Sequence, residues 1–332
     1  MRFTKVPAFA AGLALLAGAA AGCASENATG TAGDQIKVLY LLPTLSDEAY
    51  TREQAGAKAQ AKQYKNLALT VDSGTGRQDA TAFIAKIQNA VTRKYDAIAV
   101  DAGGNGPQLA PALEAARKAG VKVVTVGQPI AQARADSHVQ FDQSPAYTDA
   151  GRFMSAQLPS GGDIGIITCV ASNADSQARV NGFKAGLAPN IKVVAFADAQ
   201  CEPAKARTIS ENMLTAHAGL RGVFNSTDIA TIGTIEALRA AGKDLVVIGG
   251  DGQTANLRHI AGGNVQDGAV RYPSETIGAL GVKTAHALAS GETVPREVAV
   301  PRFPLITKEN AAAVLAQIKA IESGAQAPTL NG

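Results

Sequence analysis

The sequence has 332 residues and a mass of 33.8 kDa, with 46% hydrophobic and 18% charged residues and a formal net charge of +3. This composition supports a sizeable buried core, which excludes a disordered or collagen-like chain, and its three cysteines are too few for a disulfide-rich scaffold. The nearly balanced charge argues against nucleic acid as a partner, because phosphate neutralisation needs a concentrated basic surface.

The first 22 residues predict a secretory signal peptide. Arg2 and Lys5 precede an uncharged apolar stretch, 6–21, that is short for a membrane span. Cys23 follows Ala-Ala-Gly and resembles the acylated cysteine of a bacterial lipobox; the alternative is an odd thiol left by simple cleavage. The resemblance implies a lipid anchor at Cys23, and residues 23–35 predict a flexible linker because they lack apolar periodicity.

From Ile36 onward, short apolar runs alternate with amphipathic helical patterns in two successive halves. The runs begin at Ile36, Ala68, Ala97 and Lys122 in the first half and at Gly165, Val193, Gly222 and Val246 in the second. The helical patterns cover 79–94, 108–119, 176–187, 229–241 and 307–322. Apolar strands joined by crossover helices predict parallel sheets covered on both faces. We therefore predict an α/β fold of two doubly wound, Rossmann-like domains.

The sequence contains no common catalytic motif. The turn at 74–79 lacks the third glycine of a dinucleotide fingerprint, and neither a P-loop nor a G-x-S-x-G elbow is present. The four histidines are scattered and form no cluster with cysteine. We therefore predict a protein that is not an enzyme and holds no metal or cofactor.

Polar residues follow the predicted strands in both halves. In doubly wound sheets, ligands bind beyond the carboxyl ends of the strands. The residues at these positions include Ser46, Asp47, Asp101, Asn105, Gln128, Asn173, Asp198, Thr227, Asp228 and Asp251. Two polar rims that face each other predict a ligand-binding cleft between the two domains.

Six segments carry a family resemblance. They are LYLLPTLSDEAY (39–50), DAIAVDA (96–102), AGVKVVTVG (119–127), ARVNGFKAGL (178–187), NMLTAHAGLRGVFNSTDIATIGTIEALRAAGK (212–243) and VVIGGDG (246–252). They resemble the ribose-binding branch of the periplasmic sugar-binding proteins, which is related to the ligand domains of LacI-type repressors. The resemblance implies a type I periplasmic binding protein. Such a protein captures a sugar or sugar-like molecule by hinge closure and delivers it to an ABC permease with a separate ATPase.

The family's sugar-contacting positions map onto particular residues of this sequence. The resemblance assigns ligand contacts to Asp47, Tyr50, Asp101, Gln128, Arg179, Thr227, Asp228, Asp251 and Arg271. The sequence departs from the ribose binder at three places. It has Gly127 and Gln128 where the ribose binder has adjacent Asp and Arg after the fourth strand. It has Cys201 and Ala49 at two positions where the family has an aromatic residue. Arg179 and Arg271 together raise the hypothesis of a sugar acid.

Each of these residues also has a purely structural interpretation. Asp47 and Asp228 could be helix N-caps, and Asp251 could belong only to a turn. Arg179 could lie on a solvated helix face and Tyr50 could pack in the cleft wall. Gln128, like Asn105, could be an ordinary polar loop residue.

The family topology implies that the chain crosses between the domains near 128–142, 271 and 301. We predict an N-terminal domain of 36–141 plus 272–300 and a C-terminal domain of 142–271 plus 301–322, with a loose tail over 323–332. We expect the mature protein to be an exported monomer that is anchored to the membrane by a lipid, in the periplasm or on the cell surface. A ligand-sensing partner of a membrane receptor or kinase, or an exported hydrolase on a similar scaffold, stays open.

The remaining two cysteines predict a disulfide. Cys169 ends the first strand of the second half and Cys201 follows the next strand. Because these strands are neighbours in a doubly wound sheet, at about 4.8 Å, the two thiols should meet at the cleft rim. The alternative is two free buried thiols, which an oxidising compartment disfavours.

Overall fold

The computed structural model describes residues 35–76, 79–103, 105–130 and 132–331. The signal peptide predicted over 1–22, the lipidation predicted at Cys23 and nearly all of the linker predicted over 23–35 lie outside these residues.

Strands and helices alternate through the first half of the chain. In order they are β1 (Ile36–Leu42), α1 (Glu48–Ala61), β2 (Leu67–Ser73), α2 (Ala80–Thr92), β3 (Ala97–Asp101), α3 (Gly106–Lys118), β4 (Lys122–Val126) and β5 (Ser137–Gln140). β1 and β3 are almost entirely buried, as expected for parallel strands covered on both faces.

The same alternation continues through the second half and the C-terminal segment. The elements are α4 (Ser144–Gln157), β6 (Gly162–Thr168), α5 (Ala174–Gly186), β7 (Ile191–Asp198), α6 (Pro203–Ala216), β8 (Leu220–Asn225), α7 (Asp228–Ala241), β9 (Val246–Gly249), α8 (Thr254–Ala261), β10 (Gly268–Ala269), α9 (Ser274–Ala289), β11 (Glu297–Ala299), β12 (Ile306–Thr307) and α10 (Ala311–Glu322).

The strands form two separate sheets. Within the described residues each sheet has six strands, in the orders β11-β5-β4-β3-β1-β2 and β12-β10-β9-β8-β6-β7. The strands are parallel except where β10 meets β12. Both orders are doubly wound, so the predicted α/β fold class is confirmed. The carboxyl ends of the strands in each sheet therefore form one rim, where loops and helix N-termini gather.

Helices cover both faces of each sheet. In the first sheet, α1 and α9 pack over a core that includes Val38 and Tyr40, and α2 and α3 pack over one that includes Ile98 and Val100. The helices α4 to α8 and α10 enclose the second sheet in the same way. We call the first sheet with α1, α2, α3 and α9 the first lobe, and the second sheet with α4–α8 and α10 the second lobe.

Two glycines allow α1 and α9 to touch. A Cβ atom at Gly56 would meet the backbone carbonyl of Glu275, and one at Gly278 would meet the carbonyl of Glu53. Close backbone approach is the usual reason for glycine inside a helix, where it otherwise costs stability. The contact fixes the position of α1, which carries several residues of the site.

The C-terminal segment, predicted as a loose tail over 323–332, contacts the first lobe. After α10, whose buried face packs in the second lobe, the chain returns to the first lobe. The Thr276 hydroxyl donates to the backbone oxygen of Thr329 at 3.0 Å, and Leu330 packs against the core beneath α9. One apolar side chain and a side-chain to backbone hydrogen bond therefore join this short segment to the first lobe.

In the described part of the chain, no helix combines the length and the apolar character that crossing a membrane requires.

Candidate functional site

The centre of the candidate site is an ion pair in the second lobe. Arg179, on α5, donates from Nη1 to Asp251 Oδ1 at 2.6 Å and to the backbone oxygen of Ser226 at 3.0 Å. Its Nε donates to Gln143 Oε1 at 2.9 Å. The two charged side chains are only 12% and 19% exposed. The guanidinium is therefore held in one plane by three acceptors from three different loops, as its forked geometry allows.

Asp251 has an unusual backbone conformation. It follows β9 with a φ of 77°, in the left-handed region that non-glycine residues rarely adopt, and Gly252 continues there at 70°. Its backbone oxygen accepts from the Tyr272 N–H at 3.0 Å. Strain of this kind persists only where the surroundings over-determine it, and it concentrates at functional sites. A role for Asp251 in the turn is therefore compatible with a role in ligand binding.

The ion pair keeps Arg179 charged. Burial by itself would lower the pKa of its guanidinium, but the adjacent Asp251 carboxylate raises it, and the net direction is upward. The Tyr147 ring lies beneath the guanidinium, with the Cζ atom 5.5 Å from the ring centroid, and the Tyr147 hydroxyl donates to the Ser226 oxygen at 3.3 Å. A buried cation with a fixed orientation suits recognition of ligand oxygen atoms.

Asp228 lies directly behind the ion pair. It is fully buried, and burial followed by the charge of Asp251 raises the pKa of its carboxyl well above the ordinary value. Its Oδ2 accepts from the Gln253 N–H at 2.6 Å, while Oδ1 has no hydrogen-bond partner among the described residues. Asp228 is not the helix N-cap, because Thr227 takes that position and its hydroxyl accepts from the Ala230 N–H at 3.4 Å.

The first lobe contributes a second group of polar residues. Asp101, at the end of β3, is 5% exposed, and its Oδ1 accepts from the Gly103 N–H at 2.8 Å. Burial, then the charges of Asp101 and Glu53, raise the pKa of the Tyr272 phenol well above its ordinary value, and Tyr50 and Arg179 also act on it. The first-lobe carboxyls thus raise the pKa of the Tyr272 phenol and the second-lobe Arg179 lowers it, with a net upward shift.

Other predicted site residues have identified structural partners. Asp47 is the N-cap of α1, since its Oδ1 accepts from the Ala49 N–H at 3.0 Å. Tyr50 is buried in the first-lobe core. Asn105 is 2% exposed and donates to the backbone oxygen of Ala102 at 3.1 Å. These contacts are the ones that the structural interpretations predict for the three residues.

Two of the predicted residues lie apart from the ion pair. Gln128 is exposed after β4. Arg271 is buried, donates to Gln317 Oε1 at 3.0 Å and lies over the Phe303 ring, with the Cζ atom 4.5 Å from its centroid. The structure thus engages Arg271 with α10 and the preceding loop and does not pair it with Arg179.

Cys169 and Cys201 form a disulfide, with their Cα atoms 4.4 Å apart. The bridge joins the end of β6 to the loop after β7, as the sequence predicted. Gln200 and Cys201 are both in the left-handed region, at φ of 51° and 57°. The Cys169 N–H donates to Ser226 Oγ at 3.2 Å, so the bridge also contacts a residue that positions Arg179.

The sequence interpretation missed Gln143, Tyr147 and Ser226, which orient Arg179. Gln143 and Tyr147 are 36 and 32 positions away from it along the chain, and Gln143 also donates to Asp175 Oδ1 at 3.2 Å. Nothing in their local pattern indicates this role. Among the described residues, no group of three or more His, Cys, Asp or Glu side chains could hold a metal ion.

Comparisons with known proteins agree on one family. A family model described as "Periplasmic binding protein domain" matches residues 38–293. The ribose import binding protein of Escherichia coli strain K12 is 26% identical over 90% of this chain and 98% of its own length. The D-ribose/D-allose-binding protein of Pseudomonas aeruginosa is 25% identical over 79% of this chain and 84% of its own length.

Solved structures show the same fold. An ABC transporter solute binding protein from Mycobacterium smegmatis, with bound glycerol, superimposes with a TM-score of 0.71 at 29% identity and covers 84% of this chain and 96% of its own. One from Actinobacillus succinogenes with bound D-allose gives a TM-score of 0.74 at 22% identity, with 84% and 99% covered, and supports the fold alone.

Proposed function

Because this chain belongs to the periplasmic binding protein family, we propose that it captures a sugar or sugar-like molecule outside the cytoplasm and delivers it to an ABC importer. The chain has the two-lobed α/β fold of a type I periplasmic binding protein, and the family binds solutes without catalysing a reaction. The observation that carries the proposal is the buried Arg179–Asp251 pair at the carboxyl ends of the second sheet.

The pair has free hydrogen-bonding capacity. Nη1 and Nε of Arg179 are engaged, whereas Nη2 has no hydrogen-bond partner in the part of the chain that the structure describes. Asp251 Oδ2 makes one long contact, 3.4 Å from the Asp228 N–H. A donor pair next to a carboxylate acceptor can bind two neighbouring hydroxyl groups, because each hydroxyl both donates and accepts.

We propose that the ligand is a neutral polyol or sugar. The sugar-acid hypothesis needs two cations that act together on one acidic group. Arg179 is neutralised by Asp251, and Arg271 contacts Gln317 and Phe303 apart from it, which favours a neutral ligand. Relatives are named for ribose and allose, which are neutral.

Hinge closure would supply the capture mechanism. A ligand favours the closed form only through contacts that it makes there with both lobes. Asp101, Tyr50 and Gln128 are the proposed first-lobe contacts, with Thr227, Asp228 and Arg271 lining the second-lobe side or hinge. Micromolar affinity, about −8 kcal/mol, would suffice for capture and still permit release.

Membership of the periplasmic binding protein family supports a location outside the cytoplasm. We further propose a monomer, anchored to the membrane through a lipid on Cys23, that docks on an ABC permease. We also propose the domain boundaries 36–141 plus 272–300 and 142–271 plus 301–322, which the sheet membership of β11 and β12 supports.

Thermal-shift screening of the full chain against neutral sugars, polyols and sugar acids tests the proposal. We expect at least one neutral sugar or polyol to raise the melting temperature, with a shift that grows with the logarithm of its concentration above the dissociation constant. The matched Arg179→Ala variant should lose that response, and an Arg152→Ala variant, which changes an exposed arginine on α4, should keep it. A response restricted to sugar acids, or none at all, would contradict the proposal.

A further inference from the structure

Helix α8 begins without a cap of its own. Its N-cap residue, Gln253, makes no side-chain capping hydrogen bond. Instead, the backbone N–H and the hydroxyl of Thr254, the first residue of the helix, both donate to Glu48 Oε1, at 2.8 and 2.6 Å. Glu48 is the first residue of α1 in the first lobe. A carboxylate from one lobe therefore caps a helix of the other, where the helix dipole favours negative charge.

A second residue of α1 reaches the same loop. Arg52, one turn after Glu48 and 2% exposed, donates from Nη1 to the backbone oxygen of Gly252 at 2.8 Å. Its Nε donates to Glu275 Oε1 at 2.6 Å, and Glu275 belongs to α9 of the first lobe and is fully buried. Arg52 is thus fixed to the first lobe by Glu275, and it donates a hydrogen bond to the backbone of the second lobe at Gly252.

The loop that these residues contact carries the site carboxylate. Asp251 immediately precedes Gly252, and the Gln253 N–H donates to Asp228 at 2.6 Å. Residues 251–254 are therefore held from the second lobe by Arg179 and Asp228 and from the first lobe by Glu48 and Arg52. Any movement of the first lobe away from this loop must break charge-assisted hydrogen bonds.

We propose that Glu48 and Arg52 are positioning residues that form a cross-lobe latch with Gly252 and Thr254. The latch holds the loop that presents Asp251 and favours, before a ligand binds, the arrangement of the lobes in which these contacts form. It lowers the conformational cost of ligand capture, since a binding-competent state that is already populated raises the apparent affinity. The effect of the latch on affinity rests on the proposed function. Its effect on the arrangement of the lobes in the ligand-free protein does not depend on that function.

A double-mutant cycle on Glu48→Ala and Thr254→Val tests the latch. The affinities for D-ribose and D-allose are measured by calorimetry on the full chain, and small-angle scattering gives the radius of gyration without sugar. Thr254→Val removes the hydroxyl hydrogen bond alone, and we expect it to bind about tenfold more weakly. Glu48→Ala removes both hydrogen bonds to Thr254, so it should bind at least as weakly, and the double variant should bind little worse than Glu48→Ala. The ligand-free radius of gyration should increase in all three variants.

The controls separate the latch from a general loss of structure. Glu48→Gln keeps an oxygen acceptor and should recover part of the affinity. Glu211→Ala removes an exposed carboxylate that pairs with Arg207 on α6, and it should change neither quantity. Arg52 is unsuitable for truncation, because its removal would leave the buried Glu275 carboxylate unpaired.

Independent, additive effects of the two substitutions, or an unchanged ligand-free radius of gyration, would overturn the latch. If the wild-type protein bound neither sugar, the proposed function would need another ligand class, and the scattering comparison would still decide whether the latch exists. If Glu48→Ala fails to fold, the same cycle is run with Glu48→Gln and Thr254→Val, with a smaller expected loss in the same direction.

Discussion

The guanidinium of Arg179 and the carboxylate of Asp251 lie 2.6 Å apart, from Nη1 to Oδ1, and belong to segments 72 positions apart in the chain. Arg179 is fixed by Gln143 and Ser226, and Asp251 by a left-handed backbone that only its surroundings maintain. Neither group can reorient without losing these contacts, so the proposed site is pre-organised.

Arg179→Lys should weaken the binding of a sugar ligand on the order of 100-fold, as expected when one partner of a buried charged pair is replaced. A lysine ammonium lacks the planar fork, so it cannot satisfy Gln143, Ser226 and Asp251 at once. Titration calorimetry with whichever sugar gives the largest thermal shift measures the change. Arg152→Lys, on an arginine that is 68% exposed, is the control, and equal affinities for the two variants would disprove this role for Arg179.

Loss of the Cys169–Cys201 disulfide should destabilise the protein. The two residues are 32 positions apart, and closing a loop of that length contributes about 3 to 4 kcal/mol in the chain-entropy model. Urea unfolding of the Cys169→Ala, Cys201→Ala double variant should show this decrease in the free energy of unfolding. Adding a reductant should lower the stability of the wild type and leave that of the double variant unchanged. If reduction destabilised both equally, the bridge would not be the cause.

Gly127→Ala should destabilise the first-lobe rim more than a comparable glycine substitution elsewhere. Gly127 has a φ of 74°, and a Cβ atom there would lie 3.2 Å from Asp101 Oδ2. Gly120 has a φ of 93° with no atom within 4 Å of such a Cβ, so Gly120→Ala measures the backbone strain alone. We expect backbone strain to lower the free energy of unfolding by about 1–2 kcal/mol in each variant, and the contact with Asp101 to lower it further in Gly127→Ala. Chemical denaturation measures the free energy of unfolding of both variants. Equal decreases would show that the Asp101 side chain moves aside without cost.

Glu53 should make the stability depend on pH. Burial raises the pKa of its carboxyl well above the ordinary value of 4.5 and the charge of Asp101 adds to this, although the hydrogen bond from the Tyr40 hydroxyl, at 2.7 Å, opposes it. The folded protein therefore keeps a proton that the unfolded chain has lost. Its stabilising contribution is complete below about pH 4.5 and is lost as the pH rises towards the raised pKa, by at most about 1.4 kcal/mol per pH unit.

Glu53→Gln should flatten that dependence, because glutamine keeps the oxygen acceptor and does not ionise. Urea unfolding between pH 5 and 8 should show a smaller loss of stability than in the wild type, with the remaining slope due in part to Asp228, whose pKa is also raised. Glu211→Gln, an exposed position on α6, should follow the wild type. Parallel pH profiles for wild type and Glu53→Gln would refute a protonated Glu53.

Leu330→Ala should lower the free energy of unfolding by about 1 kcal/mol, since Leu330 is only partly buried against the first-lobe core. Gln326→Ala, at an exposed position of the same segment, should have no measurable effect. Thermal unfolding of both variants measures the difference. If the two were equally stable, the contact between the C-terminal segment and the first lobe would contribute nothing to stability.

The regular elements were predictable because their signals are local. The predicted strand starts at Ile36, Ala97, Lys122 and Val246 coincide with β1, β3, β4 and β9, since strands buried on both faces are apolar throughout. The disulfide followed from the same topology, because neighbouring parallel strands bring their carboxyl ends together. Short strands such as β10 and β12, each with two residues, carry too little pattern to be identified in this way.

The sequence by itself determined the two-lobed α/β fold, the rim on which the polar residues lie and the family, because repeated apolar periodicity and local motifs specify them. Only the tertiary structure decided which of those residues meet. It pairs Arg179 with Asp251, directs Arg271 towards Gln317 and brings Glu48 to Thr254, which is 206 positions away. Side-chain partners across such separations depend on how the lobes and helices pack, and no local pattern of residues encodes that arrangement.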